Sequence, residues 1–480
     1  MVDTVQIHME EHNPIGKKWR KDQKKVALAY PNFYKAGIAN LGLQQIYAEV
    51  NGLDTHICER FYSDIFGGKK SVESGDSVSD FDWTFMSLQY EEDYPQAIKM
   101  VQPARNRVAG GPCVMENPVP LKNFFDSFFV GEVDGKIPEI LNGQSVDGLL
   151  QKDGNGDLES GEQVKRRWVK LEDHLHHQIM GEGAYGKSLL LEIGRGCKRK
   201  CRFCLVRQLY RPCRWRDIDS LLEVAEEGRK LTDKVALIAP SVGDHPHIKE
   251  LTSQLMDMGY MVSPSSLRAD TVDEEMIELL SAGGLKSITV APEAGSERMR
   301  EIIKKEIGED DILHTADLAS SAGFKKMKLY FMVGLPHEDE EDIQAIIDLV
   351  GKVKSIVPKV SVSINPMVPK PHTPFQWMPF GGNPSLSPQE NIKELNNKLK
   401  FLKKELKRIK VEAETGNVKK FAVQTITSRG DEKVGEALPR VRINDFQEYL
   451  GGIDVDKQLP WDFIDHGYRK TSLAKEFERI

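Results

Sequence analysis

Cysteine is scarce in this chain, with six in 480 residues. So few thiols cannot staple a chain of this length, which excludes a disulfide-built scaffold. The expected setting is a reducing cytoplasm. No apolar run approaches the ~20 residues that a bilayer-spanning helix needs, so no membrane span is expected. The first residues also lack the pattern of a secretory signal. A basic excess is missing too: 66 Lys and Arg stand against 73 Asp and Glu, a net charge of −7. That balance argues against a protein that coats nucleic acid over its whole surface. The length leaves room for two or three domains with ample cores.

Three of the few cysteines are packed together, in Gly196-Cys197-Lys-Arg-Lys-Cys201-Arg-Phe203-Cys204, just after an apolar run over residues 188–194. Thiolates this close on one loop can surround one soft metal centre. Three of them hold three irons of a four-iron cluster and leave one iron open for a substrate or cofactor. A zinc site needs a fourth ligand, which Cys213 could supply. Basic residues crowd the same stretch: Arg195, Lys198, Arg199, Lys200, Arg202, Arg207, Arg211, Arg214 and Arg216. They read as counter-charge for an anionic cluster or as a dock for an anionic substrate such as RNA or a phosphorylated metabolite.

Strand and helix patterns alternate along most of the chain, which implies parallel sheets with helices on their faces. The first series places strands over 26–30, 56–60, 83–89, 107–111 and 127–132 and a helix over 38–50, and makes residues 1–141 a doubly wound domain. Residues 142–180 read as a linker, with a turn-rich run at 153–161. His174, His176 and His177 close it, and a linker is a poor metal cage. A second series has strands over 188–194, 234–240, 261–268, 287–293, 326–334 and 360–368. It reads as a partial barrel of six strand–helix units over 181–385. Barrels of this kind carry function at the C-terminal ends of their strands, and the cysteine loop follows the first of them. Gly243, Asp244, Ser266, Arg268 and Glu293 stand at later strand ends. In the last segment, 386–480, Ile392, Leu395, Leu399, Leu402, Leu406 and Ile409 mark one face of a long helix. Its other face carries Lys398, Lys403, Lys404, Lys407 and Lys410, read as solvated. The remainder reads as a small α-rich cap.

The cysteine run resembles the signature of the radical S-adenosylmethionine (SAM) superfamily. Tyr210-Arg211-Pro212 and Arg214-x-Arg216 resemble one subgroup, the radical SAM proteins that carry a cobalamin-binding domain. The likeness continues in Ala29-Tyr-Pro-Asn-Phe-Tyr-Lys-Ala-Gly37, Ser87-Leu-Gln-Tyr90 and Ala109-Gly-Gly-Pro-Cys113 of the first domain. It extends to Ala291-Pro-Glu-Ala-Gly-Ser-Glu-Arg298 and Met332-Val-Gly-Leu-Pro336 of the second. Ser428-Arg-Gly-Asp-Glu and Leu459-Pro-Trp-Asp-Phe-Ile-Asp-His-Gly467 resemble the subgroup's tail.

The resemblance implies an α/β chain: a Rossmann-like cobalamin-binding domain, a partial (β/α)6 barrel and a small cap. It implies that Cys197, Cys201 and Cys204 ligate a [4Fe–4S] cluster whose open iron chelates S-adenosylmethionine. Reductive cleavage would then yield methionine and a 5′-deoxyadenosyl radical that abstracts hydrogen from substrate. Phe203 is expected beside the adenine or over the cluster, and Gly243 and Asp244 near the methionine amino group. Ser266, Arg268, Glu293 and Arg298 are candidates for ribose and carboxylate contacts. Ser87, Gly110 and Gly111 resemble the elements that hold the nucleotide tail of cobalamin. An electron donor of ferredoxin or flavodoxin type is implied as a partner.

The sequence departs from the subgroup at Lys200, at Leu205, Val206 and Arg207, and at Cys213, all close to the expected substrate. The loop over 31–37 has no histidine to ligate cobalt, and His56 falls on the second strand. Cobalamin held without a protein imidazole and an empty relic of that domain both remain open. With cobalamin, methyl transfer to an unactivated carbon is expected; without it, a radical rearrangement. A methylthiotransferase would need more than Cys58 and Cys113 in its first domain. The alternative of another class is a nucleic-acid- or protein-binding module with a structural metal.

Overall fold

The computed structural model describes residues 11–152, 158, 163–171, 174–264 and 267–480. The first unit is built on a six-stranded sheet: β1 (Lys24–Tyr30), β2 (His56–Tyr62), β3 (Trp83–Ser87), β4 (Arg107–Gly110), β5 (Ser127–Phe129) and β6 (Leu149–Gln151). The order is β2-β1-β3-β4-β5-β6, with every pairing parallel except the last. The sheet therefore runs on past residue 141, and β6 gives it an antiparallel edge. Chain order reverses at β1, between β2 and β3, the position where open α/β sheets leave a crevice at their C-terminal edge. Val26, Ala27, Leu28 and Ala29 are all buried, as expected for a strand covered on both faces.

The expected helix over 38–50 is two helices, Tyr34–Ile38 and Leu41–Gly52. Asn40 separates them: its side chain accepts the N–H of Leu43 (3.1 Å) and caps the second. The strand expected over 127–132 ends early, and Gly131 behind it has φ +124°. An added Cβ there would lie 2.2 Å from the Arg167 carbonyl oxygen, so only glycine fits.

In the second unit β7 (Val164–Lys165) precedes β8 (Leu189–Glu192), and the short β9 (Gly194–Arg195) pairs antiparallel with β10 (Arg214–Trp215). Parallel strands then alternate with helices: β11 (Lys234–Ile238), β12 (Met261–Pro264), β13 (Ser287–Glu293), β14 (Lys326–Val333) and β15 (Lys359–Pro366). Two half-barrels result, β12-β11-β8 and β13-β14-β15-β16, the last strand being Glu412–Thr415. Among the described residues, one parallel bridge, Leu267 to Val290, joins them. The α/β class and the partial barrel expected from sequence are thus the observed architecture, while β16 adds a strand from beyond residue 385.

The long helix is Pro388–Arg408, started by Ser387 and Glu390 in a capping box. Leu395, Leu399, Leu402 and Leu406 are buried in the barrel's core cluster. Lys398 is not solvated as expected: its ammonium meets Glu338 and Glu394 at 2.9 Å each. Near the C-terminus β17 (Ile464–Asp465) pairs with β7, so the tail is sewn to the segment between the two units. The turn-rich run at 153–161 lies outside the described residues apart from Leu158. No described helix is long and apolar enough to cross a membrane.

Candidate active site

The antiparallel pair β9–β10 closes residues 196–213 into one loop at the C-terminal end of β8. Gly196 makes the turn possible: it has φ +82°, and an added Cβ would sit 2.3 Å from the Tyr210 carbonyl oxygen. Cys197, Cys201, Cys204 and Cys213 all lie on this loop as free, partly exposed thiols. The Arg199 N–H approaches the Cys197 sulfur at 3.4 Å, and the Cys204 N–H donates to the Cys201 carbonyl at 3.3 Å. Burial pushes the Cys204 thiol up to about 12, reinforced by the facing Cys201 and Cys197. Burial also raises the Cys201 thiol, while Lys305 and Arg268 pull it back. A metal centre binding there would displace these protons to solvent, so loading is coupled to proton release.

Among the described residues, no three Cys, His, Asp or Glu side chains close into a single-ion cage. A cubane sets each thiolate on a different iron and asks for a wider triangle than tetrahedral zinc does. Cys197, Cys201 and Cys204 share one loop, lie near enough to feel one another's charge and have Lys305 and Arg268 beside them, a donor set of the type such a cluster takes. His174, His176 and His177 do not converge. His174 is buried and takes the Glu192 N–H on Nε2 (2.9 Å), whereas His177 is exposed beside Glu227.

The structure gathers some of the expected contacts around Cys201 and scatters others. Glu293 ends β13 with φ +70°, a left-handed conformation costly for a residue with a Cβ. Its carboxylate meets Lys305 at 3.1 Å. Arg268 reaches the Lys305 carbonyl (2.7 Å) and Asp270 (2.9 Å). Lys305 is a buried cation at the barrel mouth that sequence reasoning missed, because it sits in an ordinary-looking Ile-Lys-Lys-Glu run. Asp244 is engaged by Arg199, whose Nε donates at 2.8 Å and whose other arm holds Asp270 at 2.8 Å. Gly243 packs so closely on Thr271 that a Cβ would lie 2.3 Å from its hydroxyl. Phe203 turns into an apolar cluster with Ala294, Met299, Leu335, Met367 and Phe477. Arg298 points away, to Asp339 (3.0 Å), Asp342 and the His337 carbonyl (3.1 Å). Ser266 lies outside the described residues.

The basic crowd is largely neutralised from within. Arg195, Lys198, Arg199, Arg202, Arg214 and Arg216 each meet a carboxylate: Glu192, Asp244, Asp270, Glu476 or Glu132. Counter-charge and packing account for most of the stretch, so a nucleic-acid dock loses its main support.

A cleft of about 260 Å³ lies at the C-terminal edge of the first sheet. Ser87, Gly111 and the Gly131–Asp134 segment line it, together with Glu192, Arg195 and Tyr210 from the cysteine-loop side. A narrower slot continues into the sheet past Gly110, between Phe85, Val108, Phe129, Ile137 and Ile140. His56 is the first residue of β2 and so stands at the opposite end of the sheet. His174 is on the cleft wall, with Nε2 already accepting from Glu192 and Nδ1 against the Leu175 carbonyl.

The cleft is thus shared between the two units. The loop after β5 meets the cysteine loop through Glu132, which binds Arg195 (3.1 Å) and Arg214 (2.6 Å). The loops after β3 and β4 meet the loop after β15 through Lys370, held by Glu91 and Glu116.

Two family models match: the radical SAM superfamily over residues 191–350 and the radical SAM N-terminal family over 42–149. A relative from Methanocaldococcus jannaschii, the uncharacterized protein MJ0966, is 45% identical over 430 residues, covering 86% of this chain and 90% of its own. The chain belongs to the radical SAM superfamily. The putative methylthiotransferase MJ0865 of the same organism is 25% identical, over 57% of this chain and 63% of that protein. Among solved structures, the radical SAM methyltransferase TsrM from Kitasatospora setae, with cobalamin and a [4Fe–4S] cluster bound, aligns at a TM-score of 0.54 and 13% identity. That alignment covers 74% of this chain and 77% of TsrM. The cobalamin-dependent radical enzyme OxsB aligns at 0.53 and 12% identity, over 69% of this chain and 52% of OxsB. At such identities the likeness is one of fold.

Proposed function

We propose that this chain is a cobalamin-dependent radical SAM methyltransferase. The observation that carries the reading is one shared cleft: the glycine-lined edge of the first sheet forms one wall, and Arg195 and Tyr210, from the neck and body of the cysteine loop, stand on the other. A cluster held by Cys197, Cys201 and Cys204 would supply an open iron for the amino and carboxylate groups of SAM and an electron for its sulfonium. Lys305, Arg268 and Glu293 are the polar groups around Cys201 suited to hold the methionine carboxylate and ribose. Asp244 and Gly243 are the proposed neighbours of the amino group, with Arg199 setting the orientation of Asp244. Phe203 shields the inner side of the loop from water.

The first-domain cleft fits a corrinoid with a threaded nucleotide tail. Gly110 and Gly111 leave the backbone open to close approach, Ser87 offers a hydroxyl, and the apolar slot suits a flat heteroaromatic base. Bound there, cobalamin would supply a methyl carrier facing a substrate radical formed at the barrel mouth. An electron donor of ferredoxin or flavodoxin type completes the partner set. The methylthiotransferase reading is weaker: Cys58 lies inside β2 and Cys113 in a short helix, both buried, with no third thiol beside them.

The test is anaerobic reconstitution with iron and sulfide, then SAM, dithionite and hydroxocobalamin. Release of 5′-deoxyadenosine with tight retention of the corrinoid supports the reading. Cleavage of SAM without corrinoid retention points to a non-methylating radical reaction, and metal binding without any cleavage to a structural module.

A further inference from the structure

We propose that Glu132 is a positioning residue that seats the cysteine loop against the first domain's cleft. The inference rests on the reading that this loop holds a cluster. The β9–β10 ribbon is the neck of the loop, and its register sets Arg195 directly opposite Arg214. Like charges directly opposite on paired strands repel. One carboxylate answers both: Glu132 Oε2 forms an ion pair with Arg195 Nη1 (3.1 Å) and accepts from Arg214 Nη1 (2.9 Å), and Oε1 accepts from Arg214 Nη2 (2.6 Å). The Val169 N–H adds a fourth donor at 3.0 Å.

The two arginines do not depend on it equally. Arg195 also holds Glu192 (2.8 Å) and Asp134 (3.3 Å). Among the described residues Arg214 has no other carboxylate; its remaining partners are the carbonyls of Pro212, Tyr210 and Val169 and the Trp168 ring. The Glu132 side chain is 3% exposed and that of Arg214 10%. An arginine this buried tolerates isolation poorly, so the loop's neck keeps its shape only while Glu132 is in place.

Glu132 is not part of the barrel. It follows Gly131, whose backbone is wedged against Arg167, and the Gly131–Asp134 segment forms the cleft wall of the first domain. The charge that holds the cluster loop closed is therefore delivered by the first domain's wall of the shared cleft.

The test compares native protein, Glu132→Gln, Glu132→Asp and the double variant Glu132→Gln/Arg214→Gln, all reconstituted anaerobically without cobalamin. Iron and sulfide content, the low-temperature EPR spectrum of the dithionite-reduced cluster, its midpoint potential and the circular dichroism spectrum are read for each. The expected result for Glu132→Gln is a native dichroism spectrum with lowered iron content, altered g-values and a shifted potential. Glu132→Asp recovers part of the native signal. The double variant recovers more than Glu132→Gln alone, because the orphaned cation is gone. It also decides the matter if Glu132→Gln fails to fold. A native EPR spectrum and potential in Glu132→Gln, or a double variant worse than the single, overturns the proposal. Failure of the native protein to assemble any cluster overturns the proposed function instead, and failure to retain cobalamin leaves the Glu132 result standing.

Discussion

Lys370, from the loop after β15, lies 3.1 Å from the carboxylate of Glu116 in the first domain. Glu91 shares the same ammonium, Gln424 donates to Glu91 (2.9 Å), and Ser428 to Glu116. Burial lifts the Glu116 carboxyl well above the usual carboxylate range, with Lys370 opposing and Glu91 adding to it. Burial opposes ionisation of Glu91 as well, but Lys370 outweighs it and holds that carboxyl below its usual range. Lys370→Met leaves both acids without a cation in a dry junction. Breaking a buried pair in this way costs about 3–5 kcal/mol. The expected outcome is a lower, broader melting transition by calorimetry, and unchanged melting would show that the junction carries no load.

Cys201→Ala removes one of three thiols and should abolish cluster assembly and SAM cleavage together. Cys213→Ala should leave both intact, because Cys213 stands outside the spaced trio. Visible absorption after reconstitution and a chromatographic assay for 5′-deoxyadenosine separate the two. Cleavage retained in Cys201→Ala would count against the assignment.

Gly110 offers a way to close the first cleft without unfolding it. An added Cβ there meets nothing nearer than Phe129 at 3.9 Å, whereas at Gly111 it would strike the Leu88 carbonyl oxygen at 2.6 Å. Gly110→Leu is expected to fill the slot and abolish retention of hydroxocobalamin on gel filtration while iron content stays native. Gly111→Ala should destabilise the fold itself.

If cobalamin is retained, no histidine among the described residues lining the cleft has a ring nitrogen free for its cobalt. His174 uses both ring nitrogens in backbone contacts, and His56 is at the far end of the sheet. The EPR spectrum of the bound cob(II)alamin state should lack nitrogen superhyperfine splitting, and a resolved nitrogen pattern would refute this.

Stability should fall on acidification below the ordinary imidazole range. Burial holds His174 down to about 4 and His372 down to about 3, and His466 well below its usual value. The unfolded chain takes up these protons near pH ~6.5 while the folded chain does not, so the unfolded state binds more and gains. The contribution is complete above that range and is lost as pH drops toward the folded values. Melting temperature recorded between neutrality and pH ~5 tests the sign, and His372→Gln should flatten the slope.

Much of this architecture was readable in the chain. Strands such as Lys24–Tyr30 and Lys326–Val333 announce themselves as short β-rich apolar runs between helical stretches, since a sheet covered on both faces leaves few polar positions. The cysteine loop was readable because spacing alone constrains what three thiols can do. The strand Glu412–Thr415 was not, because an edge strand of alternating Glu carries no hydrophobic signal. Glu132, Lys305 and Lys370 were invisible for another reason. Each is an unremarkable charge until folding brings it to a partner, as Lys370 reaches Glu116 across 254 positions. Arg298 shows the converse, a motif residue whose guanidinium folding commits to the Asp339 and Asp342 carboxylates that cap the helix Glu340–Ile356.

The helix Lys470–Phe477 reaches back to the cysteine loop: Glu476 binds Arg202 (2.7 Å) and Lys304, and Phe477 packs in the cluster that receives Phe203. Trimming residues 470–480, or crowding them with a fused purification tag, would loosen a loop more than 250 positions upstream. Oxygen would then reach the sulfurs from the outer side. Handling during purification belongs at the other terminus.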